Sequence, residues 1–280
     1  MSEQLTVSQR QRLVELSAPI DLLDREFSDK SERDLFYKEK EAELSKTNKD
    51  KIISLISGEH RPLLCAIESD LVKWLTEKEA FTQVVTPIII SEKALDKMTI
   101  TAEHPLTSQV FWLEGKKCLR PMLAPNLYEL MGDLHRVLRQ PVKIFESGPC
   151  FRKETQGAQH MNEFTMLNLV ELAATPEGGQ MERLKQLAHD AMAAIGILNY
   201  ELEITTSEVY GETLDIVAAG IELASGAFGP HPLDDKWGIF DTWVGIGFGL
   251  ERLAMVKGGY QNIKRVGRSL AYLDGARLNV

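Results

Sequence analysis

The sequence lacks the features that mark secreted, membrane-spanning or generally nucleic-acid-coating proteins. Its three cysteines, Cys65, Cys118 and Cys150, are far apart and odd in number, which indicates neither a disulfide framework nor a zinc site. No apolar run approaches the roughly 18 residues that a membrane span needs, and the N-terminal stretch is too polar for a secretory signal. The net charge of −9 argues against a basic coat protein but leaves room for a local basic face. We therefore expect a soluble cytoplasmic protein.

The composition is that of an ordinary globular protein with one large domain and a small extension. Of 280 residues, 44% are hydrophobic and 26% charged. Residues 1–57 are charge-rich and helical in pattern, and Ser31 in the segment SERD is expected to cap a helix with Asp34 as its partner. Because Gly58 and Pro62 interrupt the chain, we expect a helical extension over 1–60. A catalytic domain with a basic C-terminal tail is expected over 61–280.

Beyond residue 60 the patterns alternate between strands and single helices. FTQVVTPIII predicts a strand whose Pro87 is typical of a sheet edge or subunit seam. VFWLEGKKCLRPM predicts a hairpin that turns at Glu114–Gly115, and two more hairpins are expected over 142–173 and 213–229. APNLYELMGDLHRVLRQ and PEGGQMERLKQLAHDAMAAIG predict helices, and WVGIGFG predicts a strand that leads into a helix. This order favours an α+β fold with a mostly antiparallel sheet flanked by helices.

Several polar residues are candidates for nucleotide chemistry. Arg152 and Glu154, two apart on an expected strand, project to one face, although an isolated pair of this kind is more often a surface ion pair. Phe164 offers a ring for a flat heterocycle, or is simply a core residue. Arg252 can cover the other side of a base or bind phosphate oxygens, or is an ordinary helix-face residue.

Alternating glycines in the expected strand WVGIGFG form a second candidate feature. Gly245, Gly247 and Gly249 face one way and leave that side of the sheet bare, so that a ligand can approach the backbone closely. The same alternation turns Ile246 away from the glycine face and into the core; facing the pocket instead, it would limit the size of the substrate. Glu222 and Ser225 are expected beside the same sheet, where a carboxylate and a hydroxyl can hold Mg²⁺ together with phosphate oxygens.

Taken in order, these segments resemble the three signature segments of class II aminoacyl-tRNA synthetases, and within them the pyrrolysyl-tRNA synthetase family. The similarity rests on MTITAEHPL, LRPMLAPNLY, KIFESGPCFRKE, EFTMLNL, VYGETLDI, GFGLERL and NIKRVGRSLAYLDG, and covers roughly residues 62–280. It implies a seven-stranded antiparallel sheet flanked by helices, a homodimer, and the use of ATP and Mg²⁺. The family also has members with a separate N-terminal tRNA-binding domain, and we expect this chain to be a form without it.

The resemblance assigns roles to the candidate residues at the nucleotide end. Arg152 would hold the α-phosphate, and Glu154 would contact the adenine amine. Phe164 and Arg252 would sandwich the adenine ring, with Arg152 and Arg252 as the catalytic residues. His160 would lie near the pyrophosphate, or is a solvated loop histidine. The metal ligands implied are Glu222 and Ser225.

The implied amino-acid pocket is large and mostly apolar. It consists of Ala124, Leu127, Tyr128, Met131, Asn168, Val170, Tyr210, Trp243 and Gly245. The side-chain amide of Asn168 would donate to the carbonyl of an Nε-acyl group on lysine, and Tyr210 would cover the bound ring from a loop. An unpaired buried amide costs about 1–3 kcal/mol, so Asn168 should select for that carbonyl.

The activity implied is ATP-dependent ligation of pyrrolysine to its tRNA through an aminoacyl-adenylate. Two alternatives remain: a class II enzyme for phenylalanine, and a catalytically silent paralogue that binds RNA. For tRNA contacts we expect a local basic patch made by residues near the C-terminus, namely Lys257, Lys264, Arg265, Arg268 and Arg277.

Overall fold

The computed structural model describes residues 2–153 and 157–280, which form two compact units. One comprises the chain up to Leu63 together with Lys264–Val280, and the other comprises Leu64–Ile263. Residues 264–280, which we expected to belong with the catalytic part, thus group with the N-terminal segment. In the ranges that the structure covers, each helix is too short or too polar to cross a bilayer.

The regular elements alternate along the chain in the expected manner. The helices are α1 (Val7–Glu15), α2 (Ile20–Leu23), α3 (Lys30–Ile56), α4 (Leu63–Glu77), α5 (Glu92–Lys97), α6 (Ala124–Leu138), α7 (Gln180–Ala194) and α8 (Leu250–Lys257). The strands are β1 (Glu3–Gln4), β2 (Glu26–Phe27), β3 (Thr82–Gln83), β4 (Ile89–Ser91), β5 (Trp112–Leu113), β6 (Lys117–Leu119), β7 (Val142–Phe151), β8 (Glu163–Leu172), β9 (Glu201–Ser207), β10 (Gly211–Ala218), β11 (Ile221–Gly229), β12 (Trp243–Gly249), β13 (Tyr272–Leu273) and β14 (Ala276–Arg277).

The N-terminal unit is held together by polar contacts between the two ends of the chain. Asn48, buried in the middle of α3, donates from its amide to the Leu16 carbonyl at 3.2 Å. Its amide oxygen accepts from the Arg277 backbone nitrogen at 2.6 Å. Arg265 donates to the Glu15 carbonyl at 2.8 Å, and its guanidinium lies 4.4 Å from the centre of the Tyr272 ring.

Those contacts bear on the expected basic patch. Arg265 and Arg277 both face the Tyr272 ring, and Arg277 also pairs with Glu15 at 3.4 Å. Lys257, in the other unit, donates to the Ile195 carbonyl at 2.7 Å. These three cations therefore stabilise the fold locally, which leaves them less available for phosphate contacts than the sequence predicted.

A seven-stranded sheet in the order β3-β7-β8-β12-β11-β10-β9 forms the centre of the larger unit. Its neighbouring strands are antiparallel except for β3, which runs parallel to β7. The predicted α+β fold with a mostly antiparallel sheet is confirmed. The predicted hairpins are confirmed as β5–β6, β7–β8 and β10–β11.

The segment around Pro87 differs from its prediction as one strand. β3 pairs with β7, whereas β4 pairs with β6 in a separate three-stranded sheet, and Pro87 lies between them. Pro87 has no N–H to donate to a ladder, and its neighbour Thr86 instead donates from both its nitrogen and its hydroxyl to the Glu146 carboxylate. Side-chain contacts thus replace strand pairing at this point.

One predicted helix cap differs from the structure, and one strand of the structure was not predicted. Asp29, not Ser31, caps α3: its carboxylate accepts from the backbone nitrogens of Ser31 and Glu32 at 2.7 and 3.0 Å. A carboxylate two residues earlier reaches the free N–H groups of the first turn equally well. The strand β9 was not predicted, because most of its residues are polar and partly exposed at the edge of the sheet.

Helix α7 covers one face of the sheet, and the candidate site lies on the other. A Cβ on Gly226 would come within 2.8 Å of Leu184 in α7, so this glycine allows the helix to pack closely. Ile246 is paired with Gly226 across β11 and β12 and is 2% exposed. Its side chain therefore packs on the α7 side, as the alternation of β12 predicts, and Ile246 borders the cavity between glycines that face the site.

Candidate active site

A cavity of about 310 Å³ lies against the glycine strand. The elements that line it include α6, β8, β11, β12, the start of α8 and the turn between β9 and β10. Fifteen predicted site residues border it: Ala124, Leu127, Tyr128, Met131, Arg152, His160, Phe164, Asn168, Val170, Tyr210, Glu222, Ser225, Trp243, Gly245 and Arg252. Glu154 lies outside the described residues. The wall is mostly apolar at one end and carries charged groups at the other.

The glycines of β12 give the cavity its floor. Gly245 is paired with Val170, Gly247 with Asn168, and Gly249 with Met166. A Cβ on Gly247 would lie 3.0 Å from Nδ2 and 3.1 Å from Oδ1 of Asn168. Since real Cβ atoms rarely approach other atoms so closely, glycine at 247 provides the room that the Asn168 side chain occupies.

The apolar end is formed by one face of α6 and by Trp243 at the start of β12. Leu127, Tyr128 and Met131 follow helical spacing and are 3%, 4% and 1% exposed. Tyr128 packs edge-on against Trp243, with ring centres 5.5 Å apart. The Oδ1 atom of Asn168 is buried here and makes no hydrogen bond within the described chain. A buried amide oxygen without a partner is costly unless a ligand satisfies it.

Tyr210 covers this end from the turn between β9 and β10. The Ser207 hydroxyl accepts from the backbone nitrogens of Val209 and Tyr210, which shapes the turn. The Tyr210 ring contacts Trp243 edge-on, with centres 6.1 Å apart. Burial, followed by the nearby charge of Asp234, raises the pKa of Tyr210. Its phenol therefore stays protonated and can donate a hydrogen bond into the cavity.

The polar end contains the predicted arginines. β7 ends at Phe151, so Arg152 lies one residue beyond the strand on which we expected it. Its Nε donates to the Pro121 carbonyl at 2.9 Å, and its guanidinium carbon lies 5.3 Å from the centre of the Phe164 ring. Arg252, in the first turn of α8, donates to the Glu222 carbonyl at 3.0 Å. Two fixed cations and an aromatic ring thus border one space.

A β-bulge places Glu222 and Ser225 on the same side of β11. Residues three apart on a regular strand face opposite sides. In β11, however, Ala224 pairs with Ile216 and Glu222 pairs with Val217, so Leu223 is an extra residue. Both polar side chains therefore reach the cavity.

The donor set at this point fits Mg²⁺ bound with phosphate oxygens. The Ser225 hydroxyl donates to Asp215 Oδ1 at 2.6 Å, which leaves the lone pairs of Ser225 for a cation. The Glu222 side chain is 52% exposed and accessible. In the part of the chain that the structure covers, no group of three or more His, Cys, Asp or Glu side chains is arranged to hold a metal. Mg²⁺ commonly uses one or two carboxylates and takes its other ligands from substrate phosphates and water.

The sequence reasoning missed several residues of the site. Met166 lines the cavity between Phe164 and Asn168, and the two-residue period of β8 contains the signal for it. Glu251 is 1% exposed and accepts from the Thr165 nitrogen through both oxygens, which ties α8 to β8 beside Phe164. Asp234 lies behind the wall and accepts from the Trp243 indole. No local pattern distinguishes this acid from a solvated turn residue.

Comparison with known proteins agrees with this geometry. The family model of the class II core domain (F) of tRNA synthetases matches residues 55–274. A crystal structure of pyrrolysyl-tRNA synthetase from Desulfitobacterium hafniense has 52% sequence identity and a TM-score of 0.91, with 100% of both chains covered. A second structure of that organism's pyrrolysyl-tRNA synthetase has 51% identity and a TM-score of 0.90, covering 100% of this chain and 99% of the other.

More distant relatives share only part of this chain. O-phosphoserine–tRNA(Cys) ligases from two strains of Methanococcus maripaludis, C5 and C7, are 23% identical in a 171-residue alignment that covers 55% of this chain. The chain spans 30% of the length of these curated relatives. By the matched core domain and the similarity over its full length, the chain belongs to the class II aminoacyl-tRNA synthetases, in the pyrrolysyl-tRNA synthetase family.

Proposed function

We propose that this aminoacyl-tRNA ligase joins pyrrolysine, an Nε-acylated lysine, to its cognate tRNA. The observation that carries the proposal is Asn168 at the apolar end of the cavity, where its Oδ1 atom is buried without a hydrogen bond in the described chain. A free lysine would bring an unpaired ammonium into this pocket at a high desolvation cost. A phenylalanine side chain would leave the Asn168 amide unsatisfied. An acylated lysine offers a neutral tail, an Nε–H that can donate to Asn168 Oδ1, and a carbonyl that can accept from Asn168 Nδ2.

The proposed reaction has two steps on one surface. The amino-acid carboxylate attacks the α-phosphate of ATP and displaces pyrophosphate. A tRNA ribose hydroxyl then attacks the carbonyl of the adenylate, which breaks the acyl–phosphate bond and releases AMP. Arg152 and Arg252 bear the charge that develops at the phosphate, while Phe164 and Arg252 hold the base. Positioning and fixed charge lower the barrier without a side-chain nucleophile.

The metal and the remaining polar residues have supporting roles in this proposal. Glu222 and Ser225 would hold Mg²⁺, which when bound neutralises charge on the phosphate oxygens. His160, at the cavity rim, would lie near the departing pyrophosphate, and Glu154 would contact the adenine amine. We further propose a homodimer, and a cytoplasmic location because the reaction consumes ATP and tRNA.

Pyrophosphate exchange with several amino acids tests this function. Pyrrolysine and Nε-acyl-lysines should support exchange, whereas lysine and phenylalanine should not. Exchange with phenylalanine alone would overturn the assignment in favour of an aromatic amino-acid enzyme. Absence of exchange with every amino acid would favour a silent RNA-binding paralogue.

An Asn168→Ala variant isolates the observation that carries the proposal. Its kcat/KM for an Nε-acyl-lysine should fall about tenfold or more, because the substrate carbonyl loses its donor. For a neutral amino acid with a hydrocarbon tail of the same length, which has no amide, the change should stay within about threefold. Asn199→Ala, at an exposed position outside the cavity, is the matched control and should change neither value. Equal losses for both substrates would contradict the role of Asn168.

A further inference from the structure

A buried acid lies directly behind the wall of the amino-acid pocket. Asp234 begins the short 3₁₀ helix Asp234–Trp237 and is 2% exposed. It does not border the cavity itself. A buried carboxylate is costly unless neighbouring groups donate hydrogen bonds to it. Its partners therefore indicate what the acid does.

One oxygen of Asp234 orients Trp243. Oδ2 accepts from the indole nitrogen of Trp243 at 2.7 Å and from the His231 backbone nitrogen at 2.7 Å. The indole fits because Gly229, opposite Trp243 in the sheet, has no side chain. A Cβ at that glycine would lie 1.9 Å from the indole nitrogen. Glycine provides the space and Asp234 selects the orientation of the ring within it.

The other oxygen of Asp234 is a natural acceptor for Tyr128. Oδ1 of Asp234 and the Tyr128 hydroxyl are both buried, and neither makes a hydrogen bond of ordinary geometry within the described chain. Burial raises the pKa of Asp234, and the donors Trp243, His231 and Tyr128 offset only part of that rise. Burial also raises the pKa of Tyr128, with further contributions from Tyr210 and Asp234. Tyr128 therefore keeps its proton and is the donor of the pair.

The rings held in this way are packed against each other and against the substrate space. Tyr128 stacks on Trp237 with ring centres 5.4 Å apart, and Trp237 lies on the same short helix as Asp234. Trp243 contacts both Tyr128 and Tyr210 edge-on. A small rotation of either Tyr128 or Trp243 would change the width of the pocket.

We infer that Asp234 is a positioning residue that sets the width of the amino-acid pocket by holding Trp243 and Tyr128. It acts through these two rings and does not touch the substrate. The identity of the substrate rests on the proposed function. The positioning of the Trp243 and Tyr128 rings by Asp234 does not. The matched positions for a test are Asp234 and its exposed neighbour Asp235.

Kinetics of Asp234 variants give the first test. In Asp234→Ala we expect the KM for pyrrolysine to rise at least about tenfold, with kcat and the KM for ATP within about threefold of the wild type. Asp234→Asn keeps an acceptor for Trp243 and His231 and should stay within about threefold in all three values. Asp235→Ala should resemble the wild type. A loss confined to kcat, or a tenfold change in the KM for ATP, would overturn the inference.

A spectroscopic test needs no substrate. In ¹⁵N-tryptophan-labelled protein, the indole signal of Trp243, assigned with Trp243→Phe, should shift in Asp234→Ala and remain near its position in Asp234→Asn. An unchanged signal in Asp234→Ala would refute the positioning role, whatever the activity. If wild-type protein fails to activate pyrrolysine while the signal shifts as expected, the proposed function fails and the inference stands.

Should Asp234→Ala fail to fold, Tyr128→Phe replaces it, because the ring is kept and only the hydroxyl donor to Asp234 is lost. Its KM for pyrrolysine should then also rise, with the KM for ATP unchanged. Wild-type-like kinetics in Tyr128→Phe would contradict the inference.

Discussion

At the scale of single residues, the site depends on a side chain and the glycine that makes room for it. Asn168 supplies a polar group on β8, and Gly247, its cross-strand partner, has no side chain to displace it. The sequence shows both residues, but only the register shows that they are paired. The alternation of glycines therefore predicts a bare face, whereas the position of the amide over that face is a property of the folded sheet.

Substituting alanine at Gly247 tests this pairing. The new Cβ would lie 3.0–3.1 Å from the Asn168 amide atoms and 3.2 Å from the end of Met166, so both side chains must move. We expect Gly247→Ala to lower kcat/KM for an Nε-acyl-lysine about threefold to tenfold, through a weakened hydrogen bond. The neutral amino acid with a hydrocarbon tail should be affected less. Both values come from pyrophosphate exchange.

Gly132→Ala is the matched control for this prediction. Its Cβ would meet Ile239 at an ordinary 3.5 Å, and alanine in a helix is favoured over glycine by about 1 kcal/mol. Substrate selection should not change. If Gly247→Ala retains full selection for the acyl group, the close contact with Asn168 has no functional role.

Residue roles differ in how far the sequence predicts them. The two-residue period of β8 places Phe164, Asn168 and Val170 on one face and would also have included Met166. The role of Asp234 could not be predicted from the sequence, because it depends on Trp243 and Tyr128, which approach Asp234 only in the folded chain. A buried acid in a Pro-Leu-Asp-Asp segment is indistinguishable from a solvated turn until its donors are known.

At the scale of elements, a buried ion network joins β8 to α7 behind the site. Glu171 is 1% exposed and accepts from Arg183 Nε at 3.1 Å and from Nη2 at 3.0 Å. Thr175 donates to the same carboxylate at 2.7 Å. Burial on its own raises the pKa of Glu171, but these donors and the charge of Arg183 outweigh it, so that the pKa is lowered below the ordinary 4.5.

This lowered pKa predicts a dependence of stability on acid. The unfolded chain binds a proton at Glu171 near its ordinary pKa of 4.5, while the folded chain binds it only at lower pH. Folding stability from this group is therefore full above about pH 4.5 and is lost as the pH falls through the folded value. In Glu171→Gln the free energy of unfolding at pH 7 should drop by about 1–3 kcal/mol. Its decline below pH 4.5 should be shallower than in wild type.

Urea unfolding between pH 3.5 and pH 7 measures both effects. Glu43→Gln removes an exposed partner of Lys40 and serves as the control, because exposed ion pairs contribute about 0–1 kcal/mol. If the free energy of unfolding declines equally steeply below pH 4.5 in wild type and in Glu171→Gln, the predicted contribution of the Glu171 network is contradicted.

Elements with strong local signals were predicted well, and those governed by distant contacts were not. Alternating apolar residues and glycine turns define the β7–β8 and β10–β11 hairpins. The segment at Pro87 was predicted as a single strand because its β-branched residues dominate the local pattern. Its actual path depends on Glu146 and Asn126, which bond Thr86 and Pro87 from distant positions in the chain.

At the scale of the whole molecule, the sequence and its relatives assign the family but not the assembly. A net charge of −9 requires that phosphate contacts with tRNA come from local groups, and several expected cations make internal contacts instead. The fold class was predictable since each motif fell in the order and spacing of the family. Residues 264–280 group with the N-terminal segment through contacts between distant side chains such as Asn48, which no local pattern in the sequence shows.

The proposed homodimer gives a prediction for the assembly. Val85, Ile88 and Ile89 are 89%, 40% and 52% exposed within five residues of chain around Pro87. Asn126 and Glu146 fix this segment, so little entropy is lost when a second copy covers it. Sedimentation equilibrium should show a dimer. Val85→Asp should weaken it at least about a hundredfold, because a carboxylate would be buried without a partner.

A control substitution tests whether the dimer depends on this surface or on exposed apolar residues in general. Leu198 is 83% exposed elsewhere on the same unit, and Leu198→Asp should leave the dimer intact, since isolated surface apolar residues are common and carry no interface. A monomeric wild type at micromolar concentration would contradict the dimer itself. Persistence of a tight dimer in Val85→Asp would instead place its interface on another face, because a change at an 89% exposed side chain does not disturb the fold of the subunit.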